Sequence, residues 1–432
     1  MKFRINLFLM LSVLFGLTAC ASPNVYHFNS ILEQQEDRKS VDIYLDAYGM
    51  VYPKTGIAHD YLPEESYSGE LKSAANDPQS KLCKTNTGGE LAEMCSAGIG
   101  QWEALQSKLW SRVTKNITSR FDRDSSKRAI VVLIHGFNVN SPQRDYRIAQ
   151  ARIREVDAQD TDIVFVRVHW DGSKGPVKTK AWSKAQYTGP LVGFRMREFY
   201  NQLAERDFGS VDPSVHVLTH SSGAFLTTAS FGNPISSLPR LGETEEGLDF
   251  YDDFKNFKNA STGKWAIPEI DNLHIGMLAA ALPSDSFTGY VKTVPDGESE
   301  NSLNYIATSS GGFYAENRGW LASDTSLIFS LNPKDLALSN LGIVSANSSI
   351  FGAKGVGAKK QTFCFLDDWV NRTKSSVNVE AFDFIRTEND KARGYSKRSH
   401  DFSIYLTQEA STDFLRRFLG IQDESELEIS CN

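Results

Sequence analysis

Long apolar runs are missing from this 432-residue chain: past residue 20 no stretch is long enough to cross a bilayer as a helix. An excess of positive charge is missing too. Lys and Arg number 46 against 53 Asp and Glu, a net charge of −7, so gripping a phosphate backbone by bulk charge is excluded and no nucleic-acid partner is expected. No H-E-x-x-H, paired C-x-x-C or G-x-x-x-x-G-K-[ST] string occurs, which leaves metal hydrolysis and nucleotide chemistry without support; neither a metal nor a cofactor is expected. The glycine-rich stretch Gly352-Ala353-Lys354-Gly355-Val356-Gly357 has no strand before it and no helix after it, so it reads as a loop rather than a phosphate cradle. Internal repeats and long polar low-complexity tracts are also lacking. With 41% hydrophobic residues the composition is that of a folded globular chain with material for a sizeable core.

The N-terminus is of a different character. Lys2 and Arg4 form a basic region, residues 7–17 are an apolar run too short to span a bilayer, and small residues follow, the architecture of an export signal. Its end, Leu17-Thr18-Ala19-Cys20, resembles the lipobox of bacterial lipoproteins. That resemblance implies cleavage after residue 19, diacylation of the Cys20 thiol and a chain that starts at Cys20. Ala21-Ser22 carries no aspartate retention signal, which in a Gram-negative host implies the outer membrane; two acyl chains suffice for stable anchoring at the cell envelope.

Setting Cys20 aside leaves Cys83, Cys95, Cys364 and Cys431, an even number in a compartment that permits disulfides. Four cysteines allow three pairings. Close spacing favours Cys83 with Cys95 and, by elimination, Cys364 with Cys431, the second tying the C-terminal tail to the body of the domain.

Residues 20–127 read as an N-terminal extension of mixed pattern, with a strand at 41–45 and a helix at about 99–121. From residue 128 strands and helices alternate. Buried-strand runs fall at 129–134, 163–168 and 215–218, with further strands at 273–282, 327–329 and 377–384; helical spacing marks 194–203 and 223–230. Alternation of this kind predicts an α/β fold: a mostly parallel central sheet with helices on both faces, over residues 128–432. The acidic, aromatic stretch at about 232–272 interrupts the alternation and reads as an insertion placed like a cap. Its Phe250, Tyr251, Phe254 and Phe257 pack that insertion or line an acyl pocket.

Three motifs carry chemistry. In Thr219-His220-Ser221-Ser222-Gly223 a serine stands between a strand and a segment of small residues that opens a helix, the setting of a nucleophile elbow, G-x-S-x-G. Gly223 meets the demand for a small residue two after the serine; Thr219 departs from it two before. A plain helix N-cap at Ser221 or Ser222 is the structural alternative. Upstream, a strand ends in His135-Gly136-Phe137-Asn138, a glycine turn able to present backbone N–H groups to an oxyanion. In the fold that the elbow resembles, the base is a histidine that follows the acid in sequence. Of eight histidines, His27, His59, His135, His169, His216, His220 and His274 come too early, leaving His400 in a polar loop past the last strand. For the acid, the segment after the strand at 327–329 that carries Asp335 resembles the strand-loop-Asp segment of the same fold; Asp324, on the other side of that strand, is the runner-up.

Taken together these residues resemble the α/β-hydrolase superfamily, and within it a bacterial branch with a His-Gly-Phe-Asn turn and a Trp-containing segment after the next strand, here His169-Trp170-Asp171-Gly172. The resemblance covers about residues 128–420. It implies a catalytic triad of Ser221, Asp335 and His400, an oxyanion hole from the N–H groups of Ser222 and of Phe137 or Asn138, no cofactor, and cleavage of acyl esters of a small molecule or a lipid through an acyl-enzyme. The alternative of a different class is a catalytically inactive lipoprotein of the same fold that acts as a binding module, for which Thr219 is the best support.

Overall fold

The computed structural model describes residues 38–53, 70–85, 88–137, 139, 142–157, 159–172, 178–232, 263–282, 290–293, 304–307, 325–335, 338, 357, 360–372, 377–385, 388–392, 400–421 and 428–431. The export-signal residues with Cys20, the insertion aromatics Phe250, Tyr251, Phe254 and Phe257, and residues 352–356 of the glycine-rich stretch lie outside them.

Nine strands run β1 Ser40–Tyr44, β2 Arg128–Ile134, β3 Asp162–His169, β4 Ser214–His220, β5 Leu273–Leu278, β6 Tyr290–Thr293, β7 Asn304–Ala307, β8 Ser326–Leu331 and β9 Asn378–Asp383 among the described residues. The helices are α1 Glu70–Asn76, α2 Lys81–Thr85, α3 Gly89–Ala97, α4 Ile99–Thr118, α5 Gln143–Val156, α6 Lys178–Ala204, α7 Gly223–Phe231, α8 Lys360–Arg372, α9 Glu388–Ala392, α10 Phe402–Thr407 and α11 Ser411–Phe418. None is long and apolar enough to cross a membrane among the described residues.

Seven strands pair in the order β1-β3-β2-β4-β5-β8-β9, every pair parallel, so the expected α/β architecture with a parallel sheet is observed. The reason is visible in the strands themselves. β2 reads Arg-Ala-Ile-Val-Val-Leu-Ile and is buried along its whole length, as is β5, which requires cover on both faces and suits β-branched residues. The antiparallel β6–β7 pair, which periodicity did not reveal, stands apart from this sheet.

The strand expected at 41–45 joins the same sheet as its edge. β1 pairs with β3 so that Asp42 faces Arg167, and the Arg167 guanidinium grips that carboxylate through Nε at 2.8 Å and Nη2 at 2.6 Å. His169 Nε2 meets the same carboxylate at 2.7 Å, and the Tyr44 ring stacks on His169 with centroids 4.5 Å apart. Burial alone would raise Asp42, but His169 and Arg167 outweigh it and hold the carboxyl well below the usual range. A one-residue slip would bury these charges unpaired, so the ion pair sets the register of β1.

The opposite edge is closed by the C-terminal tail. Glu428 bridges Phe382 of β9 in antiparallel sense, and the Ile429 N–H donates to Ala381 O at 2.8 Å, covering ladder groups that an exposed edge would present. Cys364 on α8 is bonded to Cys431 and Cys83 to Cys95, the two pairings expected from spacing. Arg197, buried on α6, donates to the Ala229, Gly232 and Trp265 carbonyls. It thereby caps α7 and holds both flanks of residues 233–262, which lie outside the described set; burial pushes its guanidinium down to about 9.

Two stability predictions follow from these contacts. Replacing Cys364 and Cys431 by Ser should cost up to about 4 kcal/mol in non-reducing denaturant unfolding, against about 3 kcal/mol for Cys83 and Cys95, because the closed loops span 67 and 12 residues. Equal costs would show that loop entropy is not the source. His216 contacts Phe418 O at 2.7 Å and stacks on His274, and burial, aided by His274, pushes it down to about 3. Its folded value lies below the unfolded one, so the unfolded chain takes the proton first. Stability should therefore fall as pH drops from about 6.5 toward about 3, and His216→Gln should flatten the decline of Tm over that range.

Candidate active site

After β1 at the edge, the chain runs through β2, steps to β3 on one side of it, then crosses to β4 on the other side. In parallel α/β sheets the crevice at the carboxyl ends of such a pair of strands is where ligands bind, because the connections leave it in opposite directions. Here those ends are His135-Gly136-Phe137 after β2 and His220-Ser221 after β4.

Ser221 sits between β4 and α7 with φ of +53°, a left-handed backbone that a non-glycine residue seldom adopts. The surroundings hold it there: its N–H donates to Leu278 O at 2.9 Å at the end of β5. Glycine is required twice around it. A Cβ on Gly136 would lie 2.9 Å from Ser221 Cβ, and one on Gly223 would lie 2.7 Å from His135 O, so both are needed for the two turns to approach. Thr219, the departure from the elbow pattern, is accommodated fully buried, with its hydroxyl unpaired among the described residues.

Ser221 Oγ lies 2.7 Å from His400 Nε2, and His400 Nδ1 lies 2.8 Å from Asp335 Oδ2. The three residues named from the sequence therefore meet in one hydrogen-bonded line. Asp335 reaches it from a turn after β8: Asn332 Oδ1 accepts the Lys334 N–H at 3.1 Å and Asn332 O the Asp335 N–H at 3.1 Å, an Asx-type turn. The Asp335 residue is completely buried, and its Oδ1 accepts the Leu338 N–H at 3.3 Å. His400, with a fifth of its side chain exposed, precedes α10. Asp324 lies outside the described residues.

Buried aromatic packing frames this line. His220 stacks on Phe402 with centroids 5.1 Å apart and lies 5.0 Å from the His400 ring. Burial first, then the neighbouring His400, depress its pKa well below the usual imidazole value, so it stays neutral. His135 is pushed down to about 3, chiefly by burial. Its Nδ1 faces Gly136 O at 2.7 Å while Nε2 accepts the Trp170 N–H at 3.4 Å, which assigns the proton to Nδ1. The Trp170 indole N–H donates to His135 O at 2.9 Å, tying the Trp-containing segment to the glycine turn.

The backbone N–H groups expected to face an oxyanion are placed less simply than the motif implies. Ser222 occupies the N-cap position of α7, where first-turn N–H groups lack intrahelical acceptors, but its side chain makes no capping bond. Its Oγ instead accepts the Phe137 N–H at 2.7 Å. Between the two residues named as the second donor, Phe137 is thus engaged with Ser222, and Asn138 lies outside the described residues. Tyr405 went unnoticed in the sequence: its hydroxyl donates to Asp335 Oδ2 at 2.7 Å, and only its place one helical turn after the His400 loop hinted at it. A cavity of about 170 Å³ between β1 and α4, lined among others by Asp42, Tyr44 and Arg112, contains no residue of the Ser221 line.

Comparison with protein-family models, with curated proteins and with solved structures finds no match for this chain.

Gly136→Ala tests the close approach directly. The added methyl should force the two turns apart and cost about 1–3 kcal/mol in denaturant unfolding while leaving far-UV circular dichroism unchanged; unaltered stability would show that the turn gives way without cost.

Proposed function

We propose that this chain is a serine hydrolase of the α/β-hydrolase fold that cleaves acyl esters of a small molecule or lipid. The observation that carries the reading is the line Ser221 Oγ to His400 Nε2 to buried Asp335, ending on a serine held at positive φ. The parallel sheet, with the serine at its switch point and the acid and base following in the order Ser, Asp, His, supports the same fold.

In this mechanism His400 takes the proton of Ser221 as Oγ attacks the ester carbonyl, and Asp335 holds the imidazole tautomer and balances the imidazolium. Backbone N–H groups at the start of α7, with Ser222 first, face the tetrahedral oxyanion. His400 then gives its proton to the leaving alcohol. Water, deprotonated by His400, releases the acyl group in the second step. Esters are preferred to amides by analogy with the superfamily. The two disulfides fit an oxidising compartment, and with the lipobox-like Cys20 they support an envelope protein held at a membrane, probed by metabolic labelling of Cys20 with a radioactive fatty acid.

The experiment is turnover of p-nitrophenyl esters of increasing chain length, with fluorophosphonate labelling mapped by mass spectrometry. Ser221→Ala should abolish both with the fold intact, and Asp335→Asn should lower kcat about 10⁴-fold. An inert wild-type protein with correct folding would favour the binding module, and full activity of Asp335→Asn would move the acid elsewhere, Asp324 first.

A further inference from the structure

Asp335 Oδ2 accepts two hydrogen bonds, from His400 Nδ1 at 2.8 Å and from the Tyr405 hydroxyl at 2.7 Å. We propose that Tyr405 is a positioning residue for the reaction, setting both the place of the Asp335 carboxylate and the proton affinity of His400. The proposal rests on the hydrolase reading of the same site.

Both Asp335 and Tyr405 are fully buried, so neither oxygen can exchange its partner for bulk water. A buried carboxylate must draw its stabilisation from fixed donors; the other oxygen accepts the Leu338 N–H at 3.3 Å, and the phenol supplies a fixed donor to Oδ2. The phenol is a neutral donor to the charged form, which favours the anion without adding a competing charge. It also shares the oxygen that His400 uses. Electron density drawn toward the phenol weakens the pull of Asp335 on the imidazolium, so His400 releases its proton more readily to the leaving group. The contact is mechanical as well. Tyr405 and His400 flank the N-terminus of α10, where the Tyr405 N–H donates to Asp401 O at 3.2 Å, so the phenol bond docks this helix on the turn after β8 and fixes the approach of His400.

The other ionisable groups around the pair come from the ends of β2 and β4, from α5 and from the N-cap of α10. His220 at the end of β4 lies 5.0 Å from the His400 ring, and His135 at the end of β2 lies behind it; burial keeps both neutral. Asp401 follows His400, and Asp145 on α5 feels Asp401, its carboxyl raised by burial first and by that neighbour second. Those carboxylates are present in wild type and variant alike, so a difference between the two reports the phenol.

Tyr405→Phe removes one oxygen and keeps the ring, which stacks on Phe384 with centroids 5.5 Å apart. On an ethyl ester, whose leaving alkoxide must take the proton, kcat should fall about tenfold with KM within a factor of two. The acid limb of kcat/KM should move to higher pH, and the His400 imidazole titration followed by NMR should move in the same direction. A fall in kcat with both titrations unmoved would reduce Tyr405 to a structural contact and overturn the proposal, as would unchanged kcat. Phe384→Leu, which loosens the stack and keeps the hydroxyl, should lower Tm without moving the limb; a limb that moves equally in this variant also counts against the hydroxyl. The NMR titration needs no turnover. A wild type inert to esters and fluorophosphonate would overturn the hydrolase reading and with it the part of Tyr405 in a reaction, whereas an unmoved His400 titration in Tyr405→Phe of an active enzyme would overturn this proposal alone.

Discussion

The seating of β4 between β2 and β5 is the constraint on which the rest of the molecule depends. Parallel pairing on both sides aligns the carboxyl ends of these strands, so the Gly136 turn and the Ser221 turn emerge side by side. Their separation is small enough that a single methyl on Gly136 would meet Ser221 Cβ at 2.9 Å. Holding a serine at φ of +53° costs about 1–3 kcal/mol, and it persists because the Leu278 carbonyl, the Gly136 turn and the start of α7 all confine it.

Buried polar groups mark where this sheet is under specification rather than mere cover. At one edge Arg167 and His169 Nε2 both meet the Asp42 carboxylate and set the register of β1; at the other the tail residues Glu428 and Ile429 occupy the ladder of β9. Between them lie His135, His216 and His220, held neutral by burial. Three imidazoles in the core make the fold most stable where they need not charge. His220 belongs to the site by position: it is a neutral, flat surface against which the His400 ring rests, stacked from behind by Phe402.

The elements were legible wherever the signal is local. The unbroken apolar run of β2, and the runs of β3 and β4 broken only by Arg167 and by His216, mark buried strands, since a parallel sheet covered on both faces needs no polar alternation. The short β6–β7 pair and the full extent of α6, which contains Pro190, were not, because four-residue strands and a helix crossed by proline lack a clean period. Nor could the pattern of residues 40–44 say that β1 joins the sheet, since its partner β3 follows more than a hundred residues later.

By itself the sequence determined the strands of the parallel sheet and a few of the helices, the small residues around Ser221, the even set of four cysteines and the order in which Ser221, Asp335 and His400 occur. These depend on neighbours within one turn or one strand. Tertiary structure alone decided that Asp335 and His400 arrive at the same serine, that the Phe137 N–H is engaged by the Ser222 hydroxyl, and that Tyr405 shares the carboxylate oxygen with His400. The physical reason is that strand order is not written in strand pattern. Segments remote in the chain converge only when the sheet assembles, and a hydrogen bond between them has no periodicity to betray it.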